Sequence, residues 1–183
     1  MNIHRRFGLA TALAFLGACA CAATVAPTGG TKGSGATARG DVPVDAAVLI
    51  ASDGAGGFTF KYSAPFADAD GNFDFTNPKI GDRSVTISFN IAEGSVAGLR
   101  FKPEGRDAMW IVDKRQVGDG SPKGPYEGRQ FTNFSVSPDG QTLTVRDLND
   151  DGLVYRYALR FTLDGKTVQH DPDVKNGEGG SGT

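Results

Sequence analysis

A chain of 183 residues with 19 basic and 21 acidic groups has a formal charge of −2, a near-balance that argues against a nucleic-acid partner, which requires a clustered positive surface. That length suits one substantial core and not two. Twenty-six glycines, 12 phenylalanines and many threonines and valines, against two methionines and no amphipathic helical run after residue 40, assign the chain to the all-β class.

Residues 1–23 read as a signal peptide. Arg5 and Arg6 supply its positive start, and residues 7–18 form an apolar run too short for a stable membrane anchor. Cys19 and Cys21 both lie in this segment, so no disulfide framework holds the globular part together and its stability must come from core burial. Leu16-Gly17-Ala18-Cys19 resembles the lipobox of bacterial lipoproteins, in which a cysteine after a small residue is acylated and becomes the first residue. The resemblance implies an exported lipoprotein anchored through Cys19, and Ala20 in place of Asp implies sorting to the outer membrane, facing the periplasm or the surface. The alternative is ordinary secretory cleavage at Ala18-Cys19-Ala20 or Ala20-Cys21-Ala22, giving a secreted or periplasmic soluble protein. Residues 24–40, rich in Gly, Ser, Thr, Ala and Pro, form a flexible tether spanning roughly 20–25 Å. Loss of the leader removes two arginines, leaving 17 basic and 21 acidic groups and a net charge near −4.

The folded domain is read as residues 41–176. Residues 42–50 form a first strand, and Phe58, Phe60 and Tyr62 alternate with polar residues in a second, joined by the glycine-rich stretch 52–57. Residues 68–74 make an acidic turn leading into Phe73 and Phe75. In residues 84–91, Val85, Ile87, Phe89 and Ile91 share one face of a strand. Residues 96–101 read as a weaker strand, and residues 108–112 as a short strand buried on both faces, with Trp110 as a core anchor. Residues 114–129 break the rhythm with four glycines and two prolines in sixteen residues, a long loop of the kind that often carries function. Strands over 131–136 and 142–146 follow, separated by Pro138-Asp139-Gly140. Asn149-Asp150-Asp151-Gly152 is expected to reverse the chain into the clearest strand of all. There Leu153, Tyr155, Tyr157, Leu159, Phe161 and Leu163 face a core while Arg156 and Arg160 face water. Asp164-Gly165 then makes a tight hairpin turn. Residues 177–183 read as a disordered tail.

Eight to ten short strands in roughly 135 residues predict a two-sheet antiparallel β-sandwich, immunoglobulin-like or related, with a closed antiparallel barrel as the alternative. Tyr155-x-Tyr157-x-Leu159, Asp164-Gly165-Lys166 and His170-Asp171-Pro172-Asp173-x-x-Asn176 resemble the ending of small bacterial proteins of the DP-EP family. That resemblance, confined to the last quarter of the chain, implies a β-sandwich domain and no particular activity.

Candidate chemistry is sparse. With His4 lost in the leader, His170 is the only imidazole, too few for a blue-copper site, and no Gly-x-Ser-x-Gly elbow accompanies it. The domain is therefore read as non-catalytic, with His170 as a polar residue closing the last strand. Asp147-x-Asn149-x-Asp151-Gly152 matches the first half of a calcium loop, but position twelve is Ala158 where a bidentate Glu is needed. Asp68, Asp70, Asn72 and Asp74 repeat the pattern and also lack the Glu. Both are read as turns in which Asp and Asn bond their own backbone, so no cofactor is expected, with calcium as the alternative. Two functions remain. One is a lipid-anchored, envelope-displayed binding module that meets an envelope protein or glycan through Lys123, Tyr126 and Arg129. The other is a structural envelope protein acting by sheet-edge pairing or self-assembly, with the long strand at an edge.

Overall fold

The structure is a computed structural model describing residues 40–179, so the signal peptide, Cys19, residues 24–39 of the tether and residues 180–183 lie outside it. Eleven strands and two short helices follow in order: β1 Val42–Ser52, β2 Phe58–Ser63, β3 Phe73–Asp74, β4 Val85–Ile91, β5 Arg100–Phe101, α1 Gly105–Ala108, β6 Met109–Asp113, α2 Lys114–Val117, β7 Phe131–Val136, β8 Thr142–Asp147, β9 Val154–Leu163, β10 Lys166–His170 and β11 Asp173–Lys175.

The strands form two facing sheets, an all-β sandwich. The first has the order β2-β1-β4-β8-β7. The second is built on β9. β6 bonds to its residues 155–159 and β5 to residues 161–162 along one edge. β10 bonds to residues 159–163 and β11 to residues 154–156 along the other, because their registers overlap those of β6 and β5. β3 lies beyond β11. No ladder joins the two sheets among the described residues, so the barrel is not formed. Alternating residues of each sheet fill the space between. Phe89 of β4 meets Tyr157 of β9 at 5.8 Å between ring centroids, and Phe131 of β7 meets Tyr155 at 5.0 Å. Phe60 of β2 meets Phe161 at 6.2 Å.

The hydrophobic period places the strands well, and the structure departs from it in five respects. The sheets are mixed rather than antiparallel, with β1 parallel to β4 and β3 parallel to β11. Having made the β1–β2 hairpin, the chain crosses to the other sheet for β3 and returns to the free edge of β1. β8 and β9 are not a hairpin, since β8 belongs to the first sheet and β9 to the second, and residues 148–153 carry the chain between them. The expected strand over 96–101 reduces to Arg100–Phe101, because Gly98 turns the backbone with a φ of 82°. Trp110 is no core anchor. Its neighbours Met109 and Ile111 point inward, so Trp110 lies half-buried on the outer face of the second sheet. Finally, Arg156 and Arg160 do not face water: their side chains are only 13 % and 12 % exposed. Period two reports which residues share a face, not what later covers it, and here α1 and α2 pack over that face.

Deep in the core the Tyr157 hydroxyl donates to the Gly71 carbonyl at 2.6 Å, fastening β9 to the turn before β3. Gly71 must be glycine, since its φ is 87° and a Cβ would sit 2.8 Å from the Tyr62 ring. Tyr157→Phe leaves that buried carbonyl unpaired and is expected to lower unfolding stability by about 1–3 kcal/mol in a denaturant titration. A loss below about 0.5 kcal/mol would show that water reaches the carbonyl.

Candidate functional site

Residues 114–129 begin with α2 and continue into the longest irregular segment among the described residues, and the stretch is clamped along its length. Asp113 caps α2 by accepting from the Arg115 amide at 2.9 Å. Lys114 pairs with Asp173 at 2.5 Å, and Arg156 donates to the Asp119 carbonyl at 2.8 Å. Ser121 donates to Asp171, Pro125 bridges to Trp110, and Arg106 donates to the Tyr126 carbonyl at 2.5 Å.

Tyr126, expected to be a contact residue, is an anchor instead. It is 9 % exposed, packs edge-on against Phe131 at 5.3 Å and Tyr155 at 6.2 Å, and its hydroxyl accepts from the Gln130 amide at 3.1 Å. In a glycine- and proline-rich loop an aromatic can serve either purpose, and here a slot between β7 and β9 is open to it. Lys123 and Arg129 stay exposed on the crest, with Glu127 between them. A cleft of about 340 Å³ is lined by Val112, Gln116, Tyr126, Glu127 and Tyr155.

Beneath the anchor lies a buried polar network that holds all three calcium candidates. Asp147 Oδ1 accepts from the Asn149 amide at 2.9 Å, from Gln130 Nε2 at 2.9 Å and from Asn176 Nδ2 at 3.2 Å. Asn149 Oδ1 accepts from the Gly177 amide at 2.7 Å, while its Nδ2 donates to the Arg83 carbonyl at 3.3 Å. Asp151 Oδ1 accepts from the Leu153 amide at 3.1 Å and Asn176 Nδ2 at 3.3 Å, and its Oδ2 from the Tyr155 hydroxyl at 2.6 Å. The Asn149 side chain thus joins the crossing to the Arg83 carbonyl and the Gly177 amide. These bonds serve a turn that locks the β8–β9 crossing. Asn149 itself has a φ of 55°, the left-handed geometry that Asn tolerates. Burial pushes the Asp147 carboxyl up to about 7, the amide donors oppose this, and the charge of Asp151 adds to it.

Gln130, Asn176 and Gly177 are members of this network that sequence reasoning missed. Gly177, expected to begin a disordered tail, is buried, and its carbonyl accepts from the Gly152 amide at 2.9 Å. The signal available was Asn176 as the last residue of the DP-EP-like ending. His170, Asp171, Asp173 and Asn176 of that ending all have partners. The Pro172 carbonyl accepts from the Tyr157 amide at 2.9 Å, and Asp173 bonds Arg156 and Lys114. Asn72, in the first acidic turn, accepts from the Asp173 amide at 2.9 Å and donates to Asp68 at 2.9 Å. His170 stacks on Phe60 at 4.5 Å and its Nδ1 lies 3.0 Å from the Tyr62 hydroxyl, across the seam between β10 and β2. Burial lowers the affinity of His170 for a proton, and the nearby Asp171 and Asp70 oppose that.

The structure therefore brings Tyr126 together with Asp147, Asn149 and Asp151 through Gln130 and Tyr155, leaves Lys123 and Arg129 exposed, and keeps His170 elsewhere. In comparisons with known proteins, the chain matches no family model and no curated sequence.

Two outcomes follow from these placements. Tyr126→Ala empties a buried aromatic slot and should cost about 3–5 kcal/mol of unfolding stability, whereas Lys123→Ala and Arg129→Ala should stay within about 0.5 kcal/mol. Excess calcium should leave the thermal midpoint unchanged, because a ligand of the native state raises it by mass action. A calcium-dependent rise that disappears in Asp151→Ala would turn the crossing into a cation site.

Proposed function

We propose that this protein is an exported, lipid-anchored, non-catalytic binding module, displayed at the cell envelope and meeting its partner through the crest of residues 114–129. The observation that carries the reading is the contrast within that loop. It is clamped by bonds to α1, β6, β9, β11 and the segment before β11, yet its crest carries Lys123 and Arg129 exposed and committed to no structural bond. A loop ordered before binding loses little conformational entropy when a partner arrives, which is the condition for useful affinity from a small surface. Lys123 and Arg129 are both cations, which suits an envelope protein or glycan presenting acidic groups.

The groups that could have carried catalysis support this reading by their engagements. His170 is stacked and bonded in a structural seam, and the Ser121 hydroxyl is held by Asp171 rather than by an imidazole. The alternative of self-assembly through the long strand loses its basis, because β9 is paired along both edges. A tether of Gly, Ser and Thr ahead of the domain suits a displayed module anchored at Cys19.

The contact surface is tested by capture from envelope extract on immobilised residues 41–179. A Lys123→Glu, Arg129→Glu double variant is expected to lose the wild-type partner while keeping its thermal midpoint, and undiminished capture would refute the assignment. For the anchor, labelled fatty acid should be incorporated by the full chain and by Cys21→Ser but not by Cys19→Ser. Soluble, unlabelled protein beginning near Ala23 would leave a plainly secreted domain.

A further inference from the structure

At the centre of the buried network two polar atoms have no partner. Asp147 is 0 % exposed and its Oδ2 makes no hydrogen bond; Asn176 is 1 % exposed and its Oδ1 makes none. Both are acceptors, and they belong to groups already bonded to each other, Asn176 Nδ2 donating to Asp147 Oδ1 at 3.2 Å. With Asp147 ionised, each orphan carries the full penalty of an unsatisfied buried oxygen. A carboxylic acid and a primary amide are, however, complementary in a single plane. One limb is N–H to carboxyl oxygen, which is present, and the other is carboxyl O–H to amide oxygen. A single proton on Asp147 Oδ2 makes that second limb and satisfies both orphans.

We infer that Asp147 and Asn176 form a protonated acid–amide pair, a proton-dependent latch that fastens the C-terminal segment to the β8–β9 crossing. The surroundings favour the neutral acid. From the crossing, Asp151 faces the pair as an anion, bonded to the same Asn176 Nδ2 at 3.3 Å. From β9 comes the Tyr155 hydroxyl, spent on Asp151, and from the 114–129 loop Tyr126, which reaches the pair only through Gln130. Arg83 offers its backbone carbonyl to Asn149, while its guanidinium bonds the Ile80 and Lys79 carbonyls. Arg146, the residue before Asp147, turns to the opposite face of β8 and pairs with Asp41 at 2.6 Å, and Asp150 and Lys175 are exposed. No cation among these groups compensates an ionised Asp147, in keeping with a carboxyl raised to about 7 chiefly by burial.

The direction follows from proton linkage. A carboxyl whose folded-state value is raised above the ordinary 3.8 holds its proton longer when folded than when unfolded. The stability it contributes is complete below about pH 4 and is lost as the pH rises through about 7. Above that, the acid limb opens, and with it the hold on Asn176, Gly177 and the Gly177–Gly152 bond. Because Gln130 bonds both Asp147 and the Tyr126 hydroxyl, the root of the recognition loop feels the same event.

The test uses the full chain with carbon-13 at the aspartate carboxyls. The Asp147 resonance is expected to titrate near pH 7, and amide exchange at Gly177 to accelerate between pH 6 and pH 8 about tenfold beyond the intrinsic rise. In Asp147→Asn an N–H replaces the titrating O–H. The thermal midpoint should then match wild type at pH 5, exceed it at pH 8.5, and the extra exchange at Gly177 should vanish. An Asp147 carboxyl that titrates below pH 5 overturns the inference, as does an Asp147→Asn variant equally destabilised at both pH values. Should that variant fail to fold, the wild-type carboxyl titration decides alone.

Discussion

Burial of β9 on both faces is the constraint the remaining structure answers. A central strand with Tyr155, Tyr157, Leu159 and Phe161 on one side and Arg156 and Arg160 on the other can leave water on its second side only if its guanidiniums are otherwise solvated. Taking them from water is costly unless each gains a partner of good geometry. Arg160 lies 3.5 Å over the Trp110 ring and donates to the Asp107 carbonyl at 2.9 Å as well as to its carboxylate, so an aromatic face and a short helix replace its hydration. Arg156 is met by Asp173 at 2.8 Å and by the Asp119 carbonyl. Burial would raise the Asp173 carboxyl, but bonds from Arg156 and Lys114 hold it below the usual carboxylate value. Removing Asp173 would leave Lys114 without its counter-charge and the buried Arg156 with only the exposed Asp119 carboxylate at 4.0 Å.

That requirement explains why the end of the chain organises so much of the domain. The segment from Pro172 to Gly177 lies along the half of β9 that β10 does not reach. It bonds Tyr157 through Pro172, Asn72 of the acidic turn through Asp173, β3 through Val174, and the crossing through Asn176 and Gly177. Three loops far apart in sequence, at 68–74, 114–129 and 148–153, thus share one support. A surface loop held this way can present charged residues without folding on contact, which is how packing here leads to the proposed recognition role.

Much of the fold was legible because period-two patterning is a local property. The strands at 42–52, 58–63, 85–91 and 154–163 and the turn at Asp164-Gly165, where both residues have positive φ, lie where side-chain alternation and turn chemistry place them. The parallel pairing of β1 with β4 and the passage of β8 and β9 into different sheets were not legible, since they depend on which distant strand completes an edge. The site divides in the same way. The spacing of Asp147, Asn149 and Asp151 marked a turn, but Asn176, 29 positions from Asp147, closes it from the far end of the chain. Lys123 and Arg129 could be placed on the surface from their charge, whereas Tyr126 could not be placed inside until β7 and β9 defined a slot for it.

The claim that the C-terminal segment is a structural member and not an appendage is most directly tested by native-state hydrogen exchange at a pH below 6. The amides of Tyr157, Val174 and Asn176 should open with one common free energy, close to that of global unfolding. Exchange at Val174 and Asn176 through local fraying, with Tyr157 still protected, would contradict it.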